Sequence, residues 1–407
     1  MKEINRLTLF FLVTALLFSA CNNEKSKFNE IDTNWVGTWA SAQYYGDETG
    51  DAGKLSALKI SKTLSGSTLR QIIRTSTKGD QLRLTFSNEF GEEPMEINAA
   101  RIAKAAVPAK SNINVSTDTQ ITFNGGKTSV TIPAGKKINS DAVDFPVDAL
   151  QRIAVSVYFG SMPELVSCHV AARANSFVQY GNVVSNETVN GDVNTHWFVL
   201  SNVDIYTTGN NKSIVALGDS HTDGYGVTNE QYTRWTDVLA DKLQENPVTS
   251  NFSVINMGIG TNKLLNQLNP AAVINRFERD VMNQPNVGYL VFLIGANDMA
   301  PDLNMDAMLA AYEEMILKAH NKRIKVYACT LTPNGYENNR RHIINNWLKQ
   351  QHAQGKLFGL ADLDNLLKDP DNPDSLLPLY NNDGIHVNFE GYRMIGEYIY
   401  SLILNEL

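Results

Sequence analysis

The feature that most constrains the fold is a regular alternation of short apolar runs and amphipathic segments from Asn211 onwards. The apolar runs are SIVALG, NFSVINMG, VGYLVFLIG, IKVYACTLT and KLFGLADLD. Helical patterns such as QYTRWTDVLADKLQ separate them, and a last helical pattern covers about 388–404. Strands that alternate with amphipathic helices form parallel sheets, because the crossover between parallel strands is usually a helix. The pattern therefore predicts a doubly wound α/β domain with a five-stranded parallel sheet.

The segment from about Trp35 to Tyr206 has a different pattern. Apolar and polar residues alternate in LRQIIRTS, QLRLTFSNEF, TSVTIPAG and RIAVSVYF, and Gly, Asn, Asp and Pro bound these runs. Many short strands without crossover helices favour an antiparallel β-sandwich or jelly-roll-like domain. Because one core rarely extends over a chain of 407 residues, we predict a β domain over 34–208 and an α/β domain over 209–407.

The first residues have the pattern of an export signal. Lys2 and Arg6 precede a short apolar run, and Cys21 follows small residues in LFSAC, which resembles a bacterial lipobox. We therefore predict a lipoprotein signal peptide over 1–20 and a polar tether over 21–33. A lipid on Cys21 would anchor the exported protein in the bacterial cell envelope, in the periplasm or at the cell surface. The alternative is an ordinary cleaved signal that happens to contain a cysteine.

Charge and cysteine content exclude some classes of function. The net charge is −8 and no basic stripe is present, so nucleic acid is not an expected partner. Cys168 and Cys329 fall in different predicted domains, which argues against a disulfide, and their spacing does not suit zinc. We predict no metal and no cofactor.

The run Ile214–Leu217 ends at Gly218, Asp219 and Ser220, where a serine can face a ligand. In doubly wound sheets the ligand site lies beyond the carboxyl ends of the strands, and the first strand commonly borders it. A serine hydroxyl needs a base to remove its proton and donors to stabilise an oxyanion. The plain alternative is that Ser220 is only a turn residue.

Candidates for the base and the donors stand in later loops. Of the seven histidines, only His386 has an aspartate three positions earlier, Asp383, and the pair lies before the closing helix. Asn297 follows the third strand and can point its side-chain amide into the crevice. Backbone N–H groups at the glycine-rich loop after the second strand, and that of Ser220 itself, are further donors.

Four short blocks in order, GDS, GIGTN, GAND and DGIH, together resemble the GDSL or SGNH hydrolase family. The resemblance implies a flavodoxin-like SGNH domain with Ser220 as nucleophile, His386 as base and Asp383 as the third member of the triad. It also implies an oxyanion hole formed by Ser220, Asn297 and the second block. Alignment on Asn262 places Thr261 where relatives often have glycine, so Gly260 and Thr261 remain alternatives for the donor.

The resemblance extends to the β part, where WVGTWASAQ and WFVLSNVDIY look like the N-terminal domain of a secreted subgroup of SGNH hydrolases. It implies a serine esterase that works through an acyl-enzyme. The preferred substrate is an O-acetylated polysaccharide or oligosaccharide. One alternative is a lipase or lysophospholipase. The other is an inactive carbohydrate-binding surface lipoprotein, which is suggested by Thr261 at a position where relatives often have glycine.

For several other polar or aromatic residues, a structural role is the simpler interpretation. We expect Asp298 to brace its loop and Asp219 to cap the next helix. His221 is expected to be a substrate contact or a surface residue. For the remaining candidates we expect packing rather than contact with sugar or substrate: Trp35, Trp39, Trp197, Arg234 and Trp235.

Overall fold

The N-terminal part of the described chain consists of antiparallel sheets. The structure, a computed structural model, describes residues 34–45, 64–266, 269, 271–299, 304–335 and 339–407. The strands are β1 (Trp35–Ala40), β2 (Ser67–Arg74), β3 (Gly79–Asn88), β4 (Met95–Lys104), β5 (Thr119–Gln120), β6 (Val130–Ile132), β7 (Lys136–Asn139), β8 (Val143–Val147), β9 (Arg152–Phe159), β10 (Cys168–His169), β11 (Ser176–Tyr180), β12 (Asp192–Asn194), β13 (Trp197–Phe198) and β14 (Leu200–Tyr206).

Two of these sheets pack around one apolar core. One sheet has the order β1-β14-β3-β7, with β8 also on β3; the other has the order β12-β11-β2-β9-β4-β5, with β6 also on β4. Alternate residues of β3, Leu82, Leu84 and Phe86, are fully buried in the shared core. Period-two alternation buries one face of each strand. The predicted antiparallel β-sandwich is confirmed.

The C-terminal part contains the predicted parallel sheet. Its strands are β15 (Lys212–Gly218), β16 (Phe252–Gly258), β17 (Val287–Leu293), β18 (Lys325–Cys329) and β19 (Gly359–Ala361). The helices are α1 (Ser220–Asp223), α2 (Trp235–Glu245), α3 (Val273–Phe277), α4 (Met305–Asn321), α5 (Asn339–Ala353), α6 (Leu363–Leu367) and α7 (Phe389–Leu404). A π-helical turn, Glu278–Met282, continues α3.

The strand order β16-β15-β17-β18-β19 is the flavodoxin-like order. The strands are near-continuous apolar runs because helices cover both faces, and Ile214 to Leu217 are completely buried. Strand order reverses next to β15, so its carboxyl end borders the crevice. The predicted fold class is confirmed.

The antiparallel and parallel parts share a polar interface as well as an apolar one. Ser41, just after β1, forms a parallel bridge with Asn256 of β16. Arg74 of β2 forms an ion pair of 2.6 Å with Asp241 of α2. Residues 34–407 form one compact unit. The division into domains at 208/209 stays a prediction.

The segment that contains the predicted signal, tether and Cys21 lies outside the described residues. Among the residues that are described, no helix is both long and apolar enough to cross a bilayer. The same residues contain no group of three His, Cys, Asp or Glu side chains arranged to hold a metal ion. Cys168 and Cys329 are both buried and form no disulfide, and burial raises the pKa of the Cys168 thiol to about 12.

Candidate active site

Ser220 lies at the sharp turn between β15 and α1. Asp219 caps α1, and its carboxylate accepts the N–H of His221 at 3.1 Å, as predicted. Gly218 allows the close turn, because a Cβ there would lie 2.1 Å from Oγ1 of Thr222 and 2.4 Å from the carbonyl oxygen of Leu293. The glycine and the cap therefore place Ser220 at the carboxyl edge of the sheet.

The structure brings Ser220, His386 and Asp383 into one hydrogen-bonded chain. Oγ of Ser220 lies 2.9 Å from Nε2 of His386, and Nδ1 of His386 lies 2.9 Å from Oδ2 of Asp383. Because a carboxylate only accepts, Nδ1 carries the proton, and Nε2 is left to accept the serine hydroxyl. The other oxygen of Asp383 accepts the backbone N–H groups of Ile385 at 3.0 Å and His386 at 2.7 Å. The carboxylate is thus held on three sides.

The electrostatics of this chain favour a neutral imidazole beside an ionised carboxylate. Burial opposes ionisation of Asp383, but hydrogen bonds from the backbone and ring of His386 and from Ile385 keep its pKa below the ordinary value. Burial, followed by the nearby His221, lowers the pKa of His386, and Asp383 only partly offsets this. The ring of Tyr225 stacks on His386, with centroids 4.1 Å apart. A neutral imidazole is the form that can take a proton.

The candidate oxyanion donors lie in the same cavity as Ser220, but they are not equivalent. The N–H of Gly260 already donates to Oδ2 of Asp223 at 3.0 Å. Thr261 has a left-handed φ of 56°, and no described residue accepts its N–H. Asn297 donates one amide hydrogen to the carbonyl of Asn262 at 2.9 Å, which leaves the other for a ligand. Of the two alternatives, Thr261 is therefore the one with an available N–H.

His221 is not a surface residue, and that part of its prediction is wrong. The side chain is buried, and Nε2 lies 3.2 Å from the carbonyl oxygen of Ile385. His221 is one of the residues that line the cavity, so the alternative of a substrate contact stays a prediction. The short helix α1 turns the side chain inward, where it connects the serine turn to the loop that contains Asp383 and His386.

The other structural roles agree with the packing. Asp298 accepts the N–H groups of Leu264 and Leu265 at 2.8 and 3.0 Å, and burial raises its pKa to about 6. Arg234 donates to the carbonyl oxygen of Asp223 at 2.7 Å. The tryptophans in question are buried: Trp35, Trp39, Trp197 and Trp235.

Sequence reasoning did not single out Asp223 and His169, which form a buried pair beside the loop of Gly260. Asp223 is the last residue of α1, and its Oδ1 lies 3.0 Å from Nε2 of His169 in β10. The signal for Asp223 was weak, because an acidic residue in a glycine-rich loop is common. No sequence signal links His169 to this loop, since the two residues are 54 positions apart.

The cavity in front of Ser220 is wide and open. Its volume is about 720 Å³, and both polar and apolar groups line it. Such a volume lies within the range of small-molecule sites. The lining residues are Ser220, His221, Tyr225, Gly260, Thr261, Ala296, Asn297, Met299, Asn334, Asn339, Arg340, Ile385 and His386.

In this site a serine at the carboxyl edge of a doubly wound sheet is hydrogen-bonded to a histidine, and an aspartate orients that histidine. Hydrolases that use a serine nucleophile have this arrangement. Residues 216–394 match the model of the GDSL-like Lipase/Acylhydrolase family. This part of the chain therefore belongs to the GDSL-like lipase/acylhydrolase family, and the protein is a carboxylic ester hydrolase. The predicted resemblance is confirmed.

Solved structures with a similar fold include three of particular interest. An acetyl xylan esterase is 24% identical, with 47% of this chain and 99% of that chain covered and a TM-score of 0.39. A GDSL-like lipase from Bacteroides thetaiotaomicron is 20% identical over 48% of this chain and 89% of that one, with a TM-score of 0.37. A family two carbohydrate esterase from Clostridium thermocellum, in complex with cellohexaose, is 12% identical over 84% and 93%, with a TM-score of 0.40. Among curated proteins, none matches the sequence significantly.

The rate of ester hydrolysis should depend on the protonation of His386 with an apparent pKa below 6.5, because the pKa of this group is lowered. The ring of His221 lies 5.1 Å from that of His386, centroid to centroid, and it lowers the pKa of His386. Replacement of His221 by asparagine removes this ring and its effect. The acidic limb of the kcat/KM profile should therefore move to higher pH in the variant. A limb that stays in place would show that His221 does not influence the base.

Proposed function

We propose that the protein hydrolyses short-chain carboxylic esters by a double displacement at Ser220. The observation that carries the proposal is the hydrogen-bonded chain from Ser220 through His386 to Asp383. His386 removes the hydroxyl proton while Oγ attacks the carbonyl carbon, and the carbonyl oxygen becomes an oxyanion. Return of the proton to the alcohol oxygen releases the alcohol and leaves an acyl-serine. Water, activated by His386, then attacks the acyl carbon, and the acid leaves as Ser220 regains its proton.

Three donors would hold the oxyanion in this scheme. The N–H of Ser220 is at the first position of α1, where a backbone donor has no partner within the helix. Thr261 and Asn297 line the same cavity, and the N–H of the first and the second amide hydrogen of the other would be the remaining donors. Because a backbone N–H donates whatever the side chain, threonine in place of glycine does not remove the donor. This supports an active enzyme over the inactive binding protein.

The cavity supports an acylated sugar as substrate. Asn334, Asn339 and Arg340 line it and offer the amide and guanidinium groups that hydrogen-bond to hydroxyls. Tyr225 is 45% exposed beside His386 and adds an aromatic ring to the lining of the cavity. These hydrogen-bonding groups suit a polar alcohol such as a sugar. We therefore propose an O-acetylated polysaccharide or oligosaccharide.

Acetate release from acetylated polysaccharides tests the substrate, with Ser220→Ala as the blank. The wild-type protein should release acetate, and kcat/KM on p-nitrophenyl esters should fall from acetate to octanoate. A preference for octanoate would instead support a lipase or lysophospholipase. Binding of acetylated glycan by a wild-type protein that is no more active than the Ser220→Ala variant would support the carbohydrate-binding alternative.

We also propose that the protein is exported and anchored through a lipid on Cys21. The support is the order of charged start, short apolar run and LFSAC in the sequence. In a bacterial host grown with labelled palmitate, the wild-type chain should carry label in the membrane fraction. The Cys21→Ser variant should carry none, and equal labelling of both would reject the anchor.

A further inference from the structure

A histidine of the antiparallel part reaches the loop of the candidate oxyanion hole through one buried carboxylate. Nε2 of His169 lies 3.0 Å from Oδ1 of Asp223, and Oδ2 of Asp223 accepts the N–H of Gly260 at 3.0 Å. His169 is 3% exposed and Asp223 is 5% exposed. Gly260 directly precedes Thr261, the residue with the available N–H. The chain of contacts therefore ends one peptide unit from the proposed oxyanion donor.

The contact between Nε2 of His169 and Oδ1 of Asp223 requires a proton on one of these two atoms. Nδ1 of His169 lies 2.9 Å from the carbonyl oxygen of Ala42, which can only accept. Nδ1 therefore carries a hydrogen, and Nε2 faces a carboxyl oxygen. Either the imidazole carries both protons beside a carboxylate, or Asp223 keeps its own proton and donates it. In both cases a buried, charge-assisted or proton-shared bond holds the carboxyl group in place.

The carboxyl group of Asp223 lies between α1, the helix that begins with Ser220, and the loop that follows β16. The backbones of α1 and β16 are in close contact at Gly258. A Cβ on this residue would lie 2.3 Å from the backbone nitrogen of Asp223. Arg234 fixes the end of α1 by donating to the carbonyl oxygens of Asp223 at 2.7 Å and Ala172 at 2.5 Å. Ala172, like His169, belongs to the antiparallel part. Two residues of that part thus help to fix the end of α1: His169 contacts Asp223 directly, and Ala172 acts through Arg234.

We propose that His169 is a positioning residue of the active site: by holding Asp223, it fixes the Gly260 N–H and so the orientation of the Thr261 donor. The antiparallel part would then be a component of the catalytic apparatus. This inference rests on the proposed function. An oxyanion donor must point at the position that the oxygen takes in the transition state, and a small misplacement lowers kcat more than KM.

A matched pair of substitutions at His169 separates positioning from packing. The amide of His169→Gln can reach the place of Nε2 and keep the bond to Asp223. The amide of His169→Asn reaches only the place of Nδ1 and keeps the bond to Ala42. On p-nitrophenyl acetate, kcat should fall by about 10- to 100-fold for His169→Asn and Asp223→Ala, with KM little changed. His169→Gln should retain most of the wild-type kcat.

The control is Asp241→Asn, which removes the ion pair with Arg74 at the same interface and should leave kcat unchanged. The double variant His169→Asn/Asp223→Ala should be no slower than the slower single variant, because both break one chain. Hydrogen exchange of the peptide around 257–264 should speed up in His169→Asn but not in His169→Gln. This measurement reports on the loop even where a variant is too slow to assay.

Two results would overturn the inference and leave the proposed function intact. The first is wild-type kcat in His169→Asn and Asp223→Ala while Ser220→Ala is inactive. The second is an equal loss in His169→Asn and His169→Gln without faster exchange of 257–264, which would indicate packing alone. A wild-type protein that is no more active than Ser220→Ala would reject the function itself.

Discussion

Replacement of Ser220 by alanine should lower kcat for p-nitrophenyl acetate by at least about 10³-fold, with little change in the free energy of unfolding. The hydroxyl is the only side-chain group of the residue that the proposed chemistry uses, and its loss leaves His386 without a partner at Nε2. Residual turnover would come from binding and from the oxyanion donors, which the substitution leaves in place. Stopped assays on purified residues 22–407 give kcat and KM, and thermal denaturation gives the stability.

His386→Ala should show a loss of similar size, and the double variant should be no slower than either single one. Residues that act as one unit are not additive, because the second substitution has nothing further to remove. Losses that multiply would indicate that Ser220 and His386 act independently. Full activity in Ser220→Ala would place the nucleophile elsewhere.

Replacement of Asp383 by asparagine should lower kcat by about 10²- to 10⁴-fold. The amide cannot accept hydrogen bonds at both of its terminal atoms, whereas the carboxylate accepts the ring Nδ1–H and two backbone N–H groups. The histidine then loses the partner that keeps the proton on Nδ1 and leaves Nε2 to accept. The carboxylate also raises the pKa of His386, so the acidic limb of kcat/KM should move to lower pH in the variant.

Asp371→Asn is the matched control, since Asp371 is an exposed carboxylate in the same connection between α6 and α7. It should leave kcat and the pH profile unchanged. A shift of the Asp383→Asn limb to higher pH would contradict the assigned direction, because it would mean that the carboxylate disfavours the imidazolium. Equal activity of Asp383→Asn and Asp371→Asn would remove Asp383 from the triad.

The sequence predicted the strands of the parallel sheet because burial on both faces produces continuous apolar runs, which need no knowledge of neighbours. His386 and Asp383 were recognisable for a similar reason. They lie three residues apart in one loop, so their mutual geometry is local. The burial of His221 was not predictable, because the direction of a side chain on a one-turn helix depends on what covers that helix.

The choice between Gly260 and Thr261 shows where local reasoning ends. Both N–H groups belong to one short turn, and the sequence offers no ground for preferring either. The structure separates them, because Asp223 occupies the N–H of Gly260 while Thr261 takes a left-handed φ and faces the cavity.

The sequence by itself determined the order of the secondary structure, the two kinds of sheet and the residues Ser220, Asn297, Asp383 and His386, since periodicity and loop motifs are properties of neighbouring residues. Only the tertiary structure decided that Ser220 lies 2.9 Å from His386, and that His169 meets Asp223 beside the oxyanion loop. Hydrogen bonds between residues 166 and 54 positions apart depend on how the layers pack. Packing of that kind leaves no pattern in the local sequence.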